Sequence, residues 1–175
     1  ADVAVTARST EQVNDVATEI AAIGRDGLAL VCDVSDSVQV DRTVDRATKH
    51  FGKIDVLVNN AGEVTVGPVV PIPNPPEHVD WRWPVNERMN DADFRRIINT
   101  NLEGAFYMAR AVAPQMIERK SGKVINIAST SANLAFPYEA AYAPSKAALQ
   151  MLTNVLALEW GAYSVNVNAS SPGWL

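Results

Sequence analysis

Tyr142 and Lys146 stand one helical turn apart in Ala141-Tyr142-Ala143-Pro144-Ser145-Lys146, a phenol and an ammonium spaced to share one helix face. A phenol ordinarily titrates near pH ~10, so proton exchange at neutral pH requires roughly 4 kcal/mol of preference for the phenolate. A neighbouring cation supplies much of that preference electrostatically, which makes the pair a candidate general acid/base. Tyr-x-x-x-Lys is also common on solvated helices, so its weight depends on what accompanies it.

Upstream, Gly122-Lys123-Val124-Ile125-Asn126-Ile127-Ala128-Ser129 reads as a turn feeding a short, β-branched, buried strand that ends in small polar residues. Ser129 then sits at the carboxyl end of a strand, the edge where open α/β sheets bind ligands, and its hydroxyl can donate to a carbonyl oxygen. The alternative role is a strand-to-loop cap. Asn101 falls inside a periodic helix with Phe94, Ile97, Ile98, Leu102, Ala105, Phe106, Ala109 and Val112 on its apolar face. A mid-helix asparagine competes with the backbone for hydrogen bonds, so Asn101 marks either a kink or an organised polar contact.

Taken in order, Asn59-Asn60-Ala61-Gly62, Asn101, Ser129, Tyr142-x-x-x-Lys146 and Pro172-Gly173 resemble the short-chain dehydrogenase/reductase family over nearly the whole chain. The interval between Ser129 and Tyr142 is also the family's. The resemblance implies Tyr142 as the general acid/base, Lys146 favouring the phenolate and holding the nicotinamide ribose, Ser129 orienting the substrate oxygen, and Asn101 anchoring a proton-relay water. It implies an oxidoreductase that moves hydride between NADP(H) and a small-molecule secondary alcohol or ketone, with no metal. His50 and His78 lie far apart in sequence with no ligand set at suitable spacing, and the lone Cys32 reads as a small core hydrophobe.

The remaining segments are read for the cofactor. A short strand over residues 2–7 meets a helix that Ser9-Thr10-Glu11-Gln12 opens as a capping box. Arg8 lies on that junction, where NAD-preferring relatives tend to carry an acid. A guanidinium there suits a 2′-phosphate, so NADP is expected and NAD is the alternative; an exposed arginine at a helix start is the plainer reading. The resemblance places Asp33 and Val34 against the adenine, although Asp33 also serves as a turn acid beside Asp36, a candidate helix cap. Val40, Val44, Ala47 and Phe51 give the next helix its buried stripe, closed by Gly52. A strand over 54–58 leads into Asn60, Ala61 and Gly62, whose small side chains let backbone approach a cofactor. With Tyr142, Lys146, Pro172 and Gly173 they complete the cofactor set that the resemblance implies.

Strands alternating with helices predict one α/β domain over residues 1–175, a Rossmann-type, doubly wound parallel sheet. The 175 residues are 47% apolar, enough for a sizeable core. A net charge of −5 argues against nucleic acid or an anionic membrane as a partner. No stretch is apolar enough to cross a bilayer, and a single cysteine excludes an intrachain disulfide framework, so a cytoplasmic location is expected.

Several features depart from the family. No Gly-x-Gly occurs, and the chain begins on what reads as the second strand, so the domain is expected to be incomplete at both ends. In the family's strand order 3-2-1-4-5-6-7, loss of strand 1 leaves strands 2 and 4 with unpaired edges. On that basis an isolated 175-residue chain is expected to fold poorly and to be inactive. Residues 63–90 form a Pro/Trp-rich insertion, with Pro68, Pro71, Pro73, Pro75, Pro76, Pro84, Trp81 and Trp83, expected as extended loop. It could wall the substrate pocket or serve as a surface insertion or subunit contact. The helix after Tyr142 carries Ala147, Leu149, Leu152, Val155, Leu156, Leu158 and Trp160 around much of its circumference, which suggests a homodimer or homotetramer. Two functions stay open: the oxidoreductase, for which all four catalytic positions are filled, and a non-catalytic remnant or regulatory module of the same fold.

Overall fold

The computed structural model describes residues 1–73 and 87–173; His78, Trp81, Trp83, Pro75, Pro76 and Pro84 lie outside the described residues, as do Trp174 and Leu175. The chain runs β1 (Val3–Ala7), α1 (Thr10–Ala22), β2 (Gly27–Val31), α2 (Ser37–Phe51) and β3 (Val56–Asn59). It continues with α3 (Asp91–Ile98), α4 (Gly104–Glu118), β4 (Gly122–Ile127), α5 (Tyr142–Trp160) and β5 (Val165–Ser170). Every paired strand is parallel, as crossover helices between successive strands require.

The strands fall into two sheets. β1 pairs with β2 from Val3↔Gly27 to Ala7↔Val31, while β4 pairs with β3 on one side and β5 on the other, in the order β3-β4-β5. Among the described residues no ladder joins β1 to β3, so the doubly wound sheet is present in two pieces, divided where the sequence expects a central strand.

Local signals place the helices. The Ser9 hydroxyl accepts from the Gln12 amide to start α1, and the Asp36 carboxylate accepts from Val38 and Gln39 to start α2. Gly52 ends α2 in the left-handed region with φ of 80°, a conformation glycine adopts without a Cβ penalty. The predicted stripe of α2 is buried at Val40, Val44 and Ala47. Val40 and Val44 join Cys32, Met108, Val112, Met116, Val124, Leu156 and Val165 in the main core between the sheet and helices α2, α4 and α5. Burial pushes the Cys32 thiol pKa up, in keeping with its expected role as a core hydrophobe.

The helix read as continuous through Asn101 is broken by a wide turn. Residues Asn99–Glu103 form a π-helical turn in which the Gly104 amide donates to the Asn99 carbonyl, five residues back. The extra residue rephases α4 relative to α3, so one apolar face cannot run through both. Ile97, Ala105, Ala109 and Val112 are buried as expected, but Phe94 and Phe106 are 44% and 39% exposed. The turn also brings Gly104 onto Val34, where an added Cβ would lie 2.6 Å from Val34 Cγ2.

Candidate active site

The carboxyl end of β4 is the platform of the site. Ser129, buried, follows the strand and caps a short 3-10 turn over Thr130–Ala132, its Oγ accepting from the Ser131 amide at 3.1 Å. That bond uses an acceptor lone pair and leaves the Ser129 O–H free to donate. The sequence offered a cap and an oxygen-orienting hydroxyl as alternatives; the geometry allows both at once. The Thr130 amide donates to the Pro172 carbonyl at 3.0 Å, which lays Pro172 and Gly173 along the same edge.

Tyr142 is half-buried at the start of α5, and Lys146 follows one turn later. The Lys146 Nζ lies 5.8 Å from the centroid of the Tyr142 ring. Only 4% of Lys146 is exposed, and its ammonium donates to the Ile127 carbonyl at 2.7 Å. Burial lowers the Lys146 pKa from its ordinary value. An ammonium has three donors; one is spent on Ile127, and the described residues supply no hydrogen-bond acceptor for the other two.

Asn101 is both kink and contact. The π-turn carries its side chain inward, where Oδ1 accepts from the Glu63 amide at 2.8 Å and Nδ2 donates to the Glu63 carbonyl at 2.9 Å. Nδ2 also donates to Ser145 Oγ at 3.0 Å, and Ser145 donates to the Tyr142 carbonyl at 2.6 Å. Asn101 thus ties the segment after Gly62 to the first turn of α5. A Cβ at Gly62 would meet Asn101 Oδ1 at 3.3 Å and Lys146 Nζ at 3.4 Å, so glycine keeps the floor beside the lysine open. A second polar chain stiffens the same edge: Asn59 donates to Asn126 at 2.8 Å, and Asn126 donates to Thr153 at 2.9 Å.

The expected cofactor residues are spread along this edge. Asn60 and Ala61 are exposed beside Gly62. Asp33 acts as a turn acid, its Oδ1 accepting from the Ser35 amide and hydroxyl at 2.9 and 2.7 Å. Arg8 directly follows β1, its side chain 63% exposed and its Nη2 at 2.8 Å from Glu63 Oε1. That contact lacks hydrogen-bond alignment, and Oε1 is a buried oxygen with no hydrogen bond. The other Glu63 oxygen pairs with Arg96.

Glu63 and Ser145 were not singled out from the sequence. Ser145 carried one usable signal, a small hydroxyl three residues after Tyr142; Glu63 carried none, because its partners are distant in sequence. Among the described residues no group of three His, Cys, Asp or Glu could hold a metal ion. None of their helices is long and apolar enough to cross a membrane.

A parallel α/β arrangement with a Tyr/Lys pair, a serine and a buried asparagine along its carboxyl edge is a Rossmann-type fold. The family model for short chain dehydrogenase matches residues 1–175, and the chain belongs to that family. It is 33% identical over 165 residues to Oxidoreductase UcpA of Escherichia coli, covering 94% of this chain and 56% of that protein. It is 34% identical over 162 residues to an NAD-dependent glycerol dehydrogenase of Listeria innocua, covering 93% and 56%. Among solved structures, a gluconate 5-dehydrogenase from Burkholderia cenocepacia in complex with NADP and tartrate superposes with a TM-score of 0.84 at 32% identity, covering 99% of this chain and 62% of that one. An NAD+-bound xylitol dehydrogenase gives 0.85 at 33%, covering 99% and 60%. The chain therefore spans little more than half the length of the curated relatives it matches.

Proposed function

We propose that this chain carries the catalytic groups of an oxidoreductase that transfers hydride between NADP(H) and a secondary alcohol or ketone, with Tyr142 as general acid/base. The observation that carries this reading is the buried Lys146 ammonium, held by Ile127 beside the Tyr142 ring with two donors to spare.

The residues fit a nicotinamide cofactor because Gly62 leaves open backbone next to that ammonium. Lys146 would hold ribose hydroxyls, Asn60, Ala61, Gly62, Asp33 and Val34 would line the nucleoside, and Pro172 and Gly173 would close the far side. Arg8 would take a 2′-phosphate by leaving Glu63, which favours NADP over NAD. When bound, the cofactor supplies or accepts the hydride.

The chain's own residues handle the proton and the oxygen. In the reducing direction the Tyr142 hydroxyl gives its proton to the substrate oxygen as the carbonyl carbon is reduced, and the resulting phenolate is balanced by Lys146. In the oxidising direction the phenolate takes the carbinol proton. Ser129 donates to the same substrate oxygen, aligning it with Tyr142, while Asn101 and Ser145 fix the first turn of α5. The relatives named for glycerol and xylitol support a small hydroxylated substrate. The lone, buried Cys32 suits a reducing cytoplasm, which cell fractionation would check.

Tyr142→Phe in the full-length protein tests the reading. It should lower kcat by at least about a hundredfold, the span of a lost general acid/base, with cofactor affinity nearly unchanged. Turnover that survives in this variant would remove Tyr142 from the chemistry.

A further inference from the structure

Glu139 is a buried carboxyl that nothing in the mechanism above uses. It is 6% exposed, and its Oε2 is a fully buried oxygen with no hydrogen-bond partner. No ion pair of the described residues includes it. Native proteins rarely leave such a group unpaired, so its retention calls for a donor from outside the described residues.

Its place in the fold says where that donor lies. The Ala143 amide donates to the Glu139 carbonyl at 3.0 Å, a bond of helical span that extends the α5 turn back to residue 139. Glu139 precedes Tyr142 by three residues on the turn that enters α5, and Lys146 follows Tyr142 by four on its first turn. The backbone is pinned there: Gly67 bridges Glu139, and the Gly67 amide donates to the Tyr138 carbonyl at 2.9 Å. A second orphan, Ser131 Oγ, is buried on the turn that Ser129 caps. Unpaired polar atoms thus occur on both segments that flank the proposed reacting oxygen.

We propose that Glu139 determines substrate specificity: its carboxyl accepts a hydrogen bond from a second hydroxyl of the substrate, one or two carbons from the carbinol held by Tyr142 and Ser129. The spacing sets that offset, because neighbours three apart on a helix are about 5–6 Å between Cβ atoms. An acceptor oxygen that lacks a hydrogen bond is matched by a hydroxyl donor. A substrate carboxylate at that position would instead meet like charge. The preferred substrate class is a vicinal or 1,3-diol within a polyol.

This inference rests on the proposed oxidoreductase reading. Its test is the ratio of kcat/KM for a 1,2-diol to that for the mono-alcohol with the same carbinol, in the full-length enzyme. The wild-type ratio should be at least about tenfold, the discrimination that a buried polar group left unpaired imposes. In Glu139→Met, which keeps the bulk and removes both acceptor oxygens, it should fall toward unity. A merely structural role would depress both substrates alike and leave the ratio where it was, which overturns the proposal. So does a wild-type enzyme with no diol preference, a result that needs no variant to fold. If neither alcohol is turned over, the oxidoreductase reading fails. Calorimetric binding of the diol against the mono-alcohol then decides Glu139 alone: at least tenfold tighter diol binding supports it, and equal binding overturns it.

Discussion

Replacing Asn101 with alanine removes three hydrogen bonds at once, two part-buried to the Glu63 amide and carbonyl and one buried to Ser145 Oγ. At about 1 kcal/mol net per bond, with further cost for backbone groups left unpaired, the loss is about 3–5 kcal/mol. In urea, 3 kcal/mol corresponds to a midpoint shift on the order of 1–2 M. Asn101→Asp sharpens the test because it keeps the shape and the Oδ1 acceptor but turns Nδ2, the donor to Glu63 and Ser145, into a second acceptor. A carboxyl so placed has its folded pKa raised above the unfolded one. Its destabilisation is therefore complete above the folded value and fades as pH falls toward the unfolded value of about 3.9. The aspartate variant should be less stable than the alanine variant at pH 7, and the difference should shrink in acid. Urea unfolding of the full-length protein gives the energies, and hydrogen exchange at the Glu63 amide locates them, since that amide should lose protection in the alanine variant and keep more of it in the aspartate variant, which retains its acceptor. An alanine variant within 1 kcal/mol of wild type, or an aspartate variant of wild-type stability at pH 7, would refute the account.

Three further outcomes are expected. Burial lowers the Lys146 pKa, so a proton on the buried ammonium opposes folding; that penalty is complete below the lowered value and is relieved as pH rises toward the unfolded value of about 10.4. Wild-type stability should accordingly rise relative to Lys146→Met across that alkaline window in paired melts, and a flat difference would discard the assignment. Arg8→Ala should raise KM for NADPH by at least about tenfold with little change for NADH, and Glu63→Gln, which frees the guanidinium, should lower KM for NADPH; equal changes for both cofactors would place the 2′-phosphate elsewhere. Met151, Val155 and Leu158 line one exposed face of α5 at 62%, 42% and 86%, near an apolar cleft of 260 Å³ between α4 and α5. If this face is the contact of the homo-oligomer that the sequence expects, Leu158→Asp should shift sedimentation toward a smaller species, and an unchanged profile would move the interface.

Much of the fold was legible because its signals are local. The caps at Ser9 and Asp36, the left-handed Gly52 and the stripe of Val40, Val44 and Ala47 each depend on residues within a turn or two. The Tyr142/Lys146 pair was readable for the same reason: spacing of four on a helix fixes a shared face whatever surrounds it. Periodicity failed at Phe94 and Phe106, because the π-turn that the mid-helix Asn101 sits in shifts helical phase by an amount the spacing of apolar residues does not encode.

The sequence by itself determined which groups are present and in what order: a phenol and an ammonium one turn apart, a serine after a buried strand, an asparagine inside a helix. Only the tertiary structure decided what each group meets. It joined Asn101 to Glu63 and Ser145, spent one Lys146 donor on Ile127, turned Arg8 toward Glu63 and left Glu139 Oε2 without a hydrogen bond among the described residues. The physical reason is distance along the chain. Hydrogen bonds and ion pairs between residues tens of positions apart depend on how the layers pack, and burial turns those meetings into energies that no local pattern encodes.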